Sequence, residues 1–284
     1  MLILNELAEV KKILNNIDNT SCKFGKVLNL LIRYYVNNKG YSCDRAISET
    51  IDYVTPLKPG FDIKQWKPVL DGIAKSAGKK PLRDLESIPV TQTEIDKINE
   101  LDDSQQKKIA FAYLVIAKIN HITHNHTWVN VSDDEMLNIS NVKHNMDDFL
   151  MNIHHLKEKE VITLPKSMMK TSIQVNIIDS VGEPVFEVTN LENLGWLWEY
   201  LNGAKYKFCK DCGAIFKPRS NANMHCERHE VPSSCRCEVC GRTFDIPEGG
   251  RSRRRCECCQ REYRMKSEAE RQRKRYEKSK NTRL

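Results

Sequence analysis

Apolar residues recur at helical spacing through the first hundred positions of the chain. Leu4, Leu7, Val10, Ile13, Leu14 and Ile17 fall on one helical face, and residues 27–36 form a second amphipathic run that ends near Gly40. Residues 46–54 and 69–77, the latter led by Trp66, supply two more. Thr91 with Glu94 forms a capping box that opens a helix through Ile95 and Ile98. Proline and glycine at 56–60 and 78–81 separate these segments. The pattern predicts a helical domain over residues 1–100.

Between 101 and 178 the period changes repeatedly. Ile109, Ala112, Tyr113, Ile116 and Ala117 keep helical spacing, Trp128, Val129 and Val131 suit a short strand, and Ser132 with Glu135 caps a short helix through Met136 and Leu137. After a turn at 139–141, Val142, Met146, Phe149, Ile153 and Leu156 mark the expected buried face of a long third helix. Strand-like stretches at 161–164 and 172–178 then flank a polar loop carrying Lys166 and Lys170. This order predicts a winged helix-turn-helix, in which the third helix enters the major groove and the loop lies along the backbone. Its exposed candidates are Lys143, His144, Asn145, Asp147, Asp148, Met151, Asn152 and His155. Lys143, Asn145, Lys166 and Lys170 are the expected nucleic-acid contacts. Residues 103–178 hold eight Lys/Arg and eight Asp/Glu, so the module has no basic footprint and protein docking stays open. Residues 179–206 are expected to be a connector, with a strand at 185–188 and a helix bearing Trp196 and Trp198.

The chemistry lies further on. Cys209, Cys212, Gly213 and Phe216 recur 28 residues later as Cys237, Cys240, Gly241 and Phe244. Cys226 and His229 follow the first set, and Cys256 and Cys259 follow the second. A tetrahedral zinc ion takes four such donors, with a CxxC turn filling one edge, and a closed four-ligand site is structural rather than catalytic. Residues 207–259 therefore predict tandem zinc ribbons holding two Zn2+, with Phe216 and Phe244 packed beneath the ions. Nine of the eleven cysteines lie between 209 and 259, so the clustering is local. The Met1 start is interrupted by Asn5 and Glu6, short of a signal-peptide core, so the expected setting is reducing, a bacterial host cytoplasm, where disulfides are disfavoured. No apolar run approaches the ~18 residues a membrane span needs. Cys235 and Cys258 are surplus, and either could replace a neighbouring ligand. His225 stands beside His229, while His121, His124 and His126 are assigned to a solvated loop.

Charge singles out the end of the chain. Of a net +7, residues 251–284 contribute 14 Lys/Arg against 5 Glu, so the rest is slightly acidic. The basic residues include Arg251, Arg253, Arg254, Arg255, Arg261, Arg264, Lys266, Arg271, Arg273, Lys274 and Arg275. Residues 260–278 lack Gly and Pro, and Glu262 with Lys266 and Glu270 with Lys274 form favourable i,i+4 pairs, which predicts a basic helical tail over 260–284. Such a tail is either a solvated helix or an arm that releases counterions from phosphates.

Two resemblances rest on these residues. KVLNLLIRYY, NKGYSCDRAISETIDYV and the Trp-led helix ending in DGIAKSA, between Phe24 and Ala77, resemble the helical domain on the C-terminal side of phage and plasmid primases. The whole chain resembles bacteriophage and prophage proteins in which a helical region and winged helix precede a CxxCG ribbon and basic helix. Cys209-Lys-Asp-Cys-Gly213 and His225-Cys-Glu-Arg-His229 carry that likeness, and the second ribbon departs from it. The resemblance implies a mobile-element setting and nucleic-acid contact.

The expectation is a mainly α protein with small β elements: a non-enzymatic nucleic-acid binder in regulation or replication, with DNA favoured over RNA. The alternative is an effector that docks on a host protein complex through the winged helix. An enzyme such as a nuclease is set aside, because the sequence has no paired carboxylates beside a basic partner, no His-Asn-His finger and no phosphate loop.

Overall fold

A computed structural model describes residues 2–15, 22–58, 60–143, 145–165, 172–221, 223–229, 234–245 and 254–281, with backbone alone at 234, 235, 245 and 274–281. His144, Lys166, Lys170, Arg251 and Arg253 lie outside the described residues. The chain forms two compact units, Met1–Cys226 and Glu227–Leu284.

The first unit opens with α1 (Glu6–Asn15), α2 (Phe24–Asn37), α3 (Cys43–Val54) and α4 (Ile63–Ala77). The apolar faces seen in the sequence meet in one core, to which α2 contributes Val27, Leu28, Leu30, Leu31 and Ile32. Ser42 and Asp62 cap α3 and α4 by accepting from the backbone N–H groups of Arg45 and Lys64. Pro68 lies inside α4 rather than before it, because Asp62 starts the helix a full turn earlier at the cost of one backbone bond.

Glu6 ties the start of this bundle to its end. Its buried carboxylate accepts from Arg33 at 2.8 Å, Lys26 at 3.1 Å and Arg83 at 3.2 Å. Burial alone would raise this carboxyl, but the Arg33 hydrogen bond and the charges of Arg83, Lys26 and Arg33 outweigh it and hold the group down at about 2.

A second core is built around α6 (Ser104–His124), preceded by β1 (Ile88–Thr91) and α5 (Gln92–Asn99). Every residue of α6 from Ile109 to Ile119 is buried. Next come β2 (Trp128–Val129), α7 (Asp133–Ser140), α8 (Met146–Glu158), β3 (Ile162–Thr163) and β4 (Ile173–Val175), and these strands form an antiparallel sheet in the order β2-β4-β3. β5 (Pro184–Val188), α9 (Leu194–Leu201), β6 (Lys207–Phe208) and β7 (Ile215–Phe216) complete the unit.

Several elements differ from the sequence expectation. Residues 179–206 carry the expected strand and helix, but these are built into the core: β5 pairs antiparallel with β1, and Val188, Leu194, Leu197 and Trp198 are buried in the same core as α6. β1 escaped notice because Pro89 interrupts a four-residue run whose partner lies almost a hundred residues away. α8 is shorter than predicted. Asn145 is its N-cap, accepting from Asp147 N–H and donating to Asp148, and Met146 is 41% exposed, so the buried face comprises Phe149, Ile153 and Leu156. His121 and His124 sit in the last turns of α6 and not in a loop.

In the second unit, β8 (Ser234–Arg236) and β9 (Thr243–Asp245) form a hairpin, and α10 spans Glu257–Asn281. The basic helix thus starts before 260 and includes Cys258 and Cys259. Among the described residues, no helix is long and apolar enough to cross a membrane.

Candidate metal centres

The repeated CxxCG segments fold into the same knuckle twice. In the first, Cys209 N–H donates to Ala214 O and Gly213 N–H to Cys209 O, both at 2.9 Å; in the second, Cys237 N–H donates to Arg242 O and Gly241 N–H to Cys237 O, again at 2.9 Å. Gly213 and Gly241 hold φ of 68° and 71°, the left-handed region the tight turn demands. The β6–β7 hairpin frames the first knuckle and β8–β9 the second.

Each knuckle meets the distant ligand pair that the spacing selected. The donor atoms of Cys209, Cys212, Cys226 and His229 lie within 4.8 Å of one another, as do those of Cys237, Cys240, Cys256 and Cys259. Cys212 and Cys226 sulfurs are 3.8 Å apart and Cys240 and Cys256 sulfurs 3.6 Å apart, too far for a disulfide. Phe216 is buried against Cys209 and Cys226, in the place expected for the apolar plug.

His225 is drawn elsewhere. Its Nδ1 lies 2.8 Å from Asp211 Oδ2, in a separate three-donor grouping with Cys209. The four-donor set uses His229. Cys258 is exposed and belongs to neither set, and the side chain of Cys235 lies outside the described residues.

The electrostatics of both sets suit a cation. Burial pushes the Cys209 thiol up, but backbone N–H groups of Cys226, Cys212 and Asp211 outweigh it and bring the thiol down to about 6. Backbone N–H groups of Cys240 and Cys256 do the same for Cys237, also to about 6. Burial, with the adjacent Cys209 and Cys226 thiols, pushes Cys212 up to about 12, and Cys259 is raised by its side-chain hydrogen bond to Cys256. One thiolate per cluster is thus supported by the backbone, while a second needs a cation between them. The donors fit a closed metal site.

Comparison with protein-family models, with curated proteins and with solved structures finds no match.

The first knuckle is anchored to the helical core by residues that carry no motif. Asn193 Nδ2 donates to Ile215 O at 3.1 Å, Asn190 Nδ2 to Cys212 O at 3.4 Å, and Ile215 is buried in the α6 core. Only the local run Asn190 to Asn193 could have hinted at this.

The other candidates separate by place. Lys143 is exposed in the turn before α8, whereas Asn145 is occupied in capping. Arg254 is exposed beside Glu238, and the Arg255 guanidinium lies 4.0 Å from the centroid of Tyr263. Arg261, Arg264, Lys266, Arg271 and Arg273 are exposed along α10. Lys274 and Arg275 continue that helix, but their side chains lie outside the described residues.

Proposed function

We propose that the protein is a non-enzymatic nucleic-acid-binding protein of phage or mobile-element origin, acting in regulation or replication, with two structural zinc ions. One observation carries this reading: Cys259, a member of the second donor set, sits in the first turn of α10, so the ion that fills the set also fixes the start of the exposed basic helix. Thiolate and imidazole donors in closed sets of four favour zinc, and the paired hairpin knuckles are then zinc ribbons. Exposed Lys and Arg along a helix gain affinity from phosphates by counterion release. The order α6, β2, α7, α8, β3, β4 with sheet order β2-β4-β3 supports a winged helix.

The test is binding of the full chain to duplex DNA, single-stranded DNA and RNA across a salt series. Replacing Arg261, Arg264, Lys266, Arg271 and Arg273 by Gln should weaken binding on unrelated sequences alike. The slope of log affinity against log salt should flatten by roughly 0.9 for each duplex phosphate that is no longer neutralised. An unchanged slope would remove α10 from the interface.

A second reading is favoured by the face of α8. Asp147 and Asp148 open that helix, and Leu150 and Met151 are 45% and 57% exposed. An acidic face with unpartnered apolar residues repels phosphate and suits a host protein. On this reading the winged module docks an effector onto a host complex. Retained capture of a protein partner, together with loss of all binding to bare nucleic acid at low salt, would select it.

A further inference from the structure

Charge is segregated along the chain in three blocks. Residues 1–83 hold 14 Lys/Arg and 8 Asp/Glu, residues 84–250 hold 17 and 25, and residues 251–284 hold 14 and 5. The N-terminal bundle is therefore a second basic body, and the acidic middle block had concealed it.

Four of its basic residues, Lys39, Arg45, Lys79 and Lys80, gather with tyrosines at one end of that bundle. The turn after α2 folds back so that Tyr41 N–H donates to Tyr35 O at 3.0 Å, which stacks the Tyr41 and Tyr35 rings 5.8 Å apart at an interplanar angle of 1°. The Arg45 guanidinium lies over the Tyr41 ring, 3.9 Å from its centroid, and its Nε pairs with Glu49 at 3.5 Å. The result is a stacked group of three planar side chains, two rings and a guanidinium whose side chain is 60% exposed. Beside this group, Lys39 Nζ lies 5.8 Å from the centroid of Tyr34. Asn37 Nδ2 donates to Ala77 O at 3.0 Å and Lys80 O at 3.4 Å, which fastens the last turn of α4 to the last turn of α2 and brings exposed Lys79 and Lys80 to the same end.

The bland account of these lysines is that they complement helix C-termini. It explains Lys39, Lys79 and Lys80, and the Glu49 pair occupies one edge of Arg45, but neither uses the exposed guanidinium plane above the Tyr41 ring. Flat rings and guanidinium planes flanked by flexible cations are what unstacked bases and their phosphates require. A duplex keeps its bases stacked and cannot use this plane.

We propose that this end of the N-terminal bundle is a stacking platform for single-stranded nucleic acid. A base stacks on the exposed plane of Arg45, and Lys39, Lys79 and Lys80 meet the adjoining phosphates. The platform belongs to the first unit and α10 to the second, and neither assignment depends on the other being correct.

The experiment titrates the full chain into a fluorescein-labelled oligothymidylate of about fifteen nucleotides, an oligouridylate of the same length and a duplex of matching length. Three variants are compared: Lys39→Gln/Lys79→Gln/Lys80→Gln, Arg45→Lys, and the five-residue Gln variant of α10. Matching far-UV spectra and melting temperatures establish that each is folded. The triple variant should lose about tenfold in affinity for single strands and less than about twofold for duplex. Arg45→Lys, which keeps the charge and removes the plane, should weaken single-strand binding alone; the oligouridylate arm shows whether the platform takes RNA as well as DNA. Single-strand affinity unchanged in the triple variant and in Arg45→Lys overturns the inference, as does an equal loss on duplex. A loss confined to the α10 variant defeats the platform and leaves the proposed function standing, whereas a loss confined to the platform variants does the reverse.

Discussion

Asn141 donates its side-chain amide to Asn193 Oδ1 at 2.9 Å, joining the left-handed residue that ends α7 to the left-handed residue that precedes α9. Asn141 also accepts from Trp196 N–H at 3.3 Å, and Asn193 donates to Ile215 O. Two side chains thus connect two helices and the hairpin of the first metal centre. Asparagine suits both positions because it tolerates positive φ and brings its own donor and acceptor.

This junction works only if the helices approach closely. A Cβ added at Gly195 would come within 1.7 Å of the Ser140 carbonyl oxygen. Gly195→Ala should therefore push α9 off α7 and cost about 3 kcal/mol, the upper end of ordinary overpacking. Urea denaturation of the purified variant checks this, and a midpoint equal to that of the native chain would mean that the contact is not needed.

Glu94 and Lys118 form a buried ion pair, with Lys118 Nζ 2.6 Å and 2.8 Å from the two carboxylate oxygens. The same carboxylate accepts from Thr91 N–H and Asp179 N–H, each at 2.9 Å. Lys118→Met leaves that carboxylate buried without its cation and should cost about 4 kcal/mol. Lys118→Met/Glu94→Gln should cost less than the sum of the two single changes. Strict additivity by chemical denaturation would argue that the pair is uncoupled.

Acid should loosen the bundle through Glu6. Its carboxyl titrates at about 2 when folded and near 4.5 when unfolded. Its contribution is therefore complete above the unfolded value and is lost as pH falls from 4.5 towards 2. The difference amounts to about 3 kcal/mol. Glu6→Gln lacks this titration, so the stability gap between it and the native chain should shrink over that window. A gap that stays constant from pH 7 to pH 2.5 counts against this account.

The two metal centres should respond differently to loss of a ligand. Metal analysis should find two zinc ions per chain. Cys240→Ser should unfold the β8–β9 module and leave the melting of residues 1–226 unchanged, because structural zinc binding contributes on the order of 10 kcal/mol to the folding of such a module. Cys212→Ser strikes a knuckle held by Asn190, Asn193 and Ile215, so it should lower the melting temperature of the helical unit as well. Finding one zinc or none in the native chain, with thiols paired as disulfides, would discard both ribbons.

Much of this was legible in the chain. Helical spacing marked α1 to α4, and the doubled CxxCG spacing selected both donor sets, because those signals are local and periodic. The rest depends on distance. The β1–β5 pairing, the burial of Trp198 against Phe111 and the anchoring of Cys212 by Asn190 join segments that share no pattern. Asn145 misled for another reason: a capping residue and an exposed helical residue are both polar, and only the backbone separates them. Net charge hid the basic bundle because the acidic middle block offset it.

The position of Cys259 bears on how α10 exists at all. A free helix must first fix a turn that little stabilises, an initiation factor of about 10⁻³, or roughly 4 kcal/mol, before propagation favours it. The described side chains of α10 beyond its ligand turn are largely solvent-facing, so little packing offsets that step. An ion held by Cys256 and Cys259 fixes the first turn directly. Metal occupancy would then act as the helix nucleus: chelation would melt the arm into coil, and the exposed cations would lose their common axis without any change in sequence or charge.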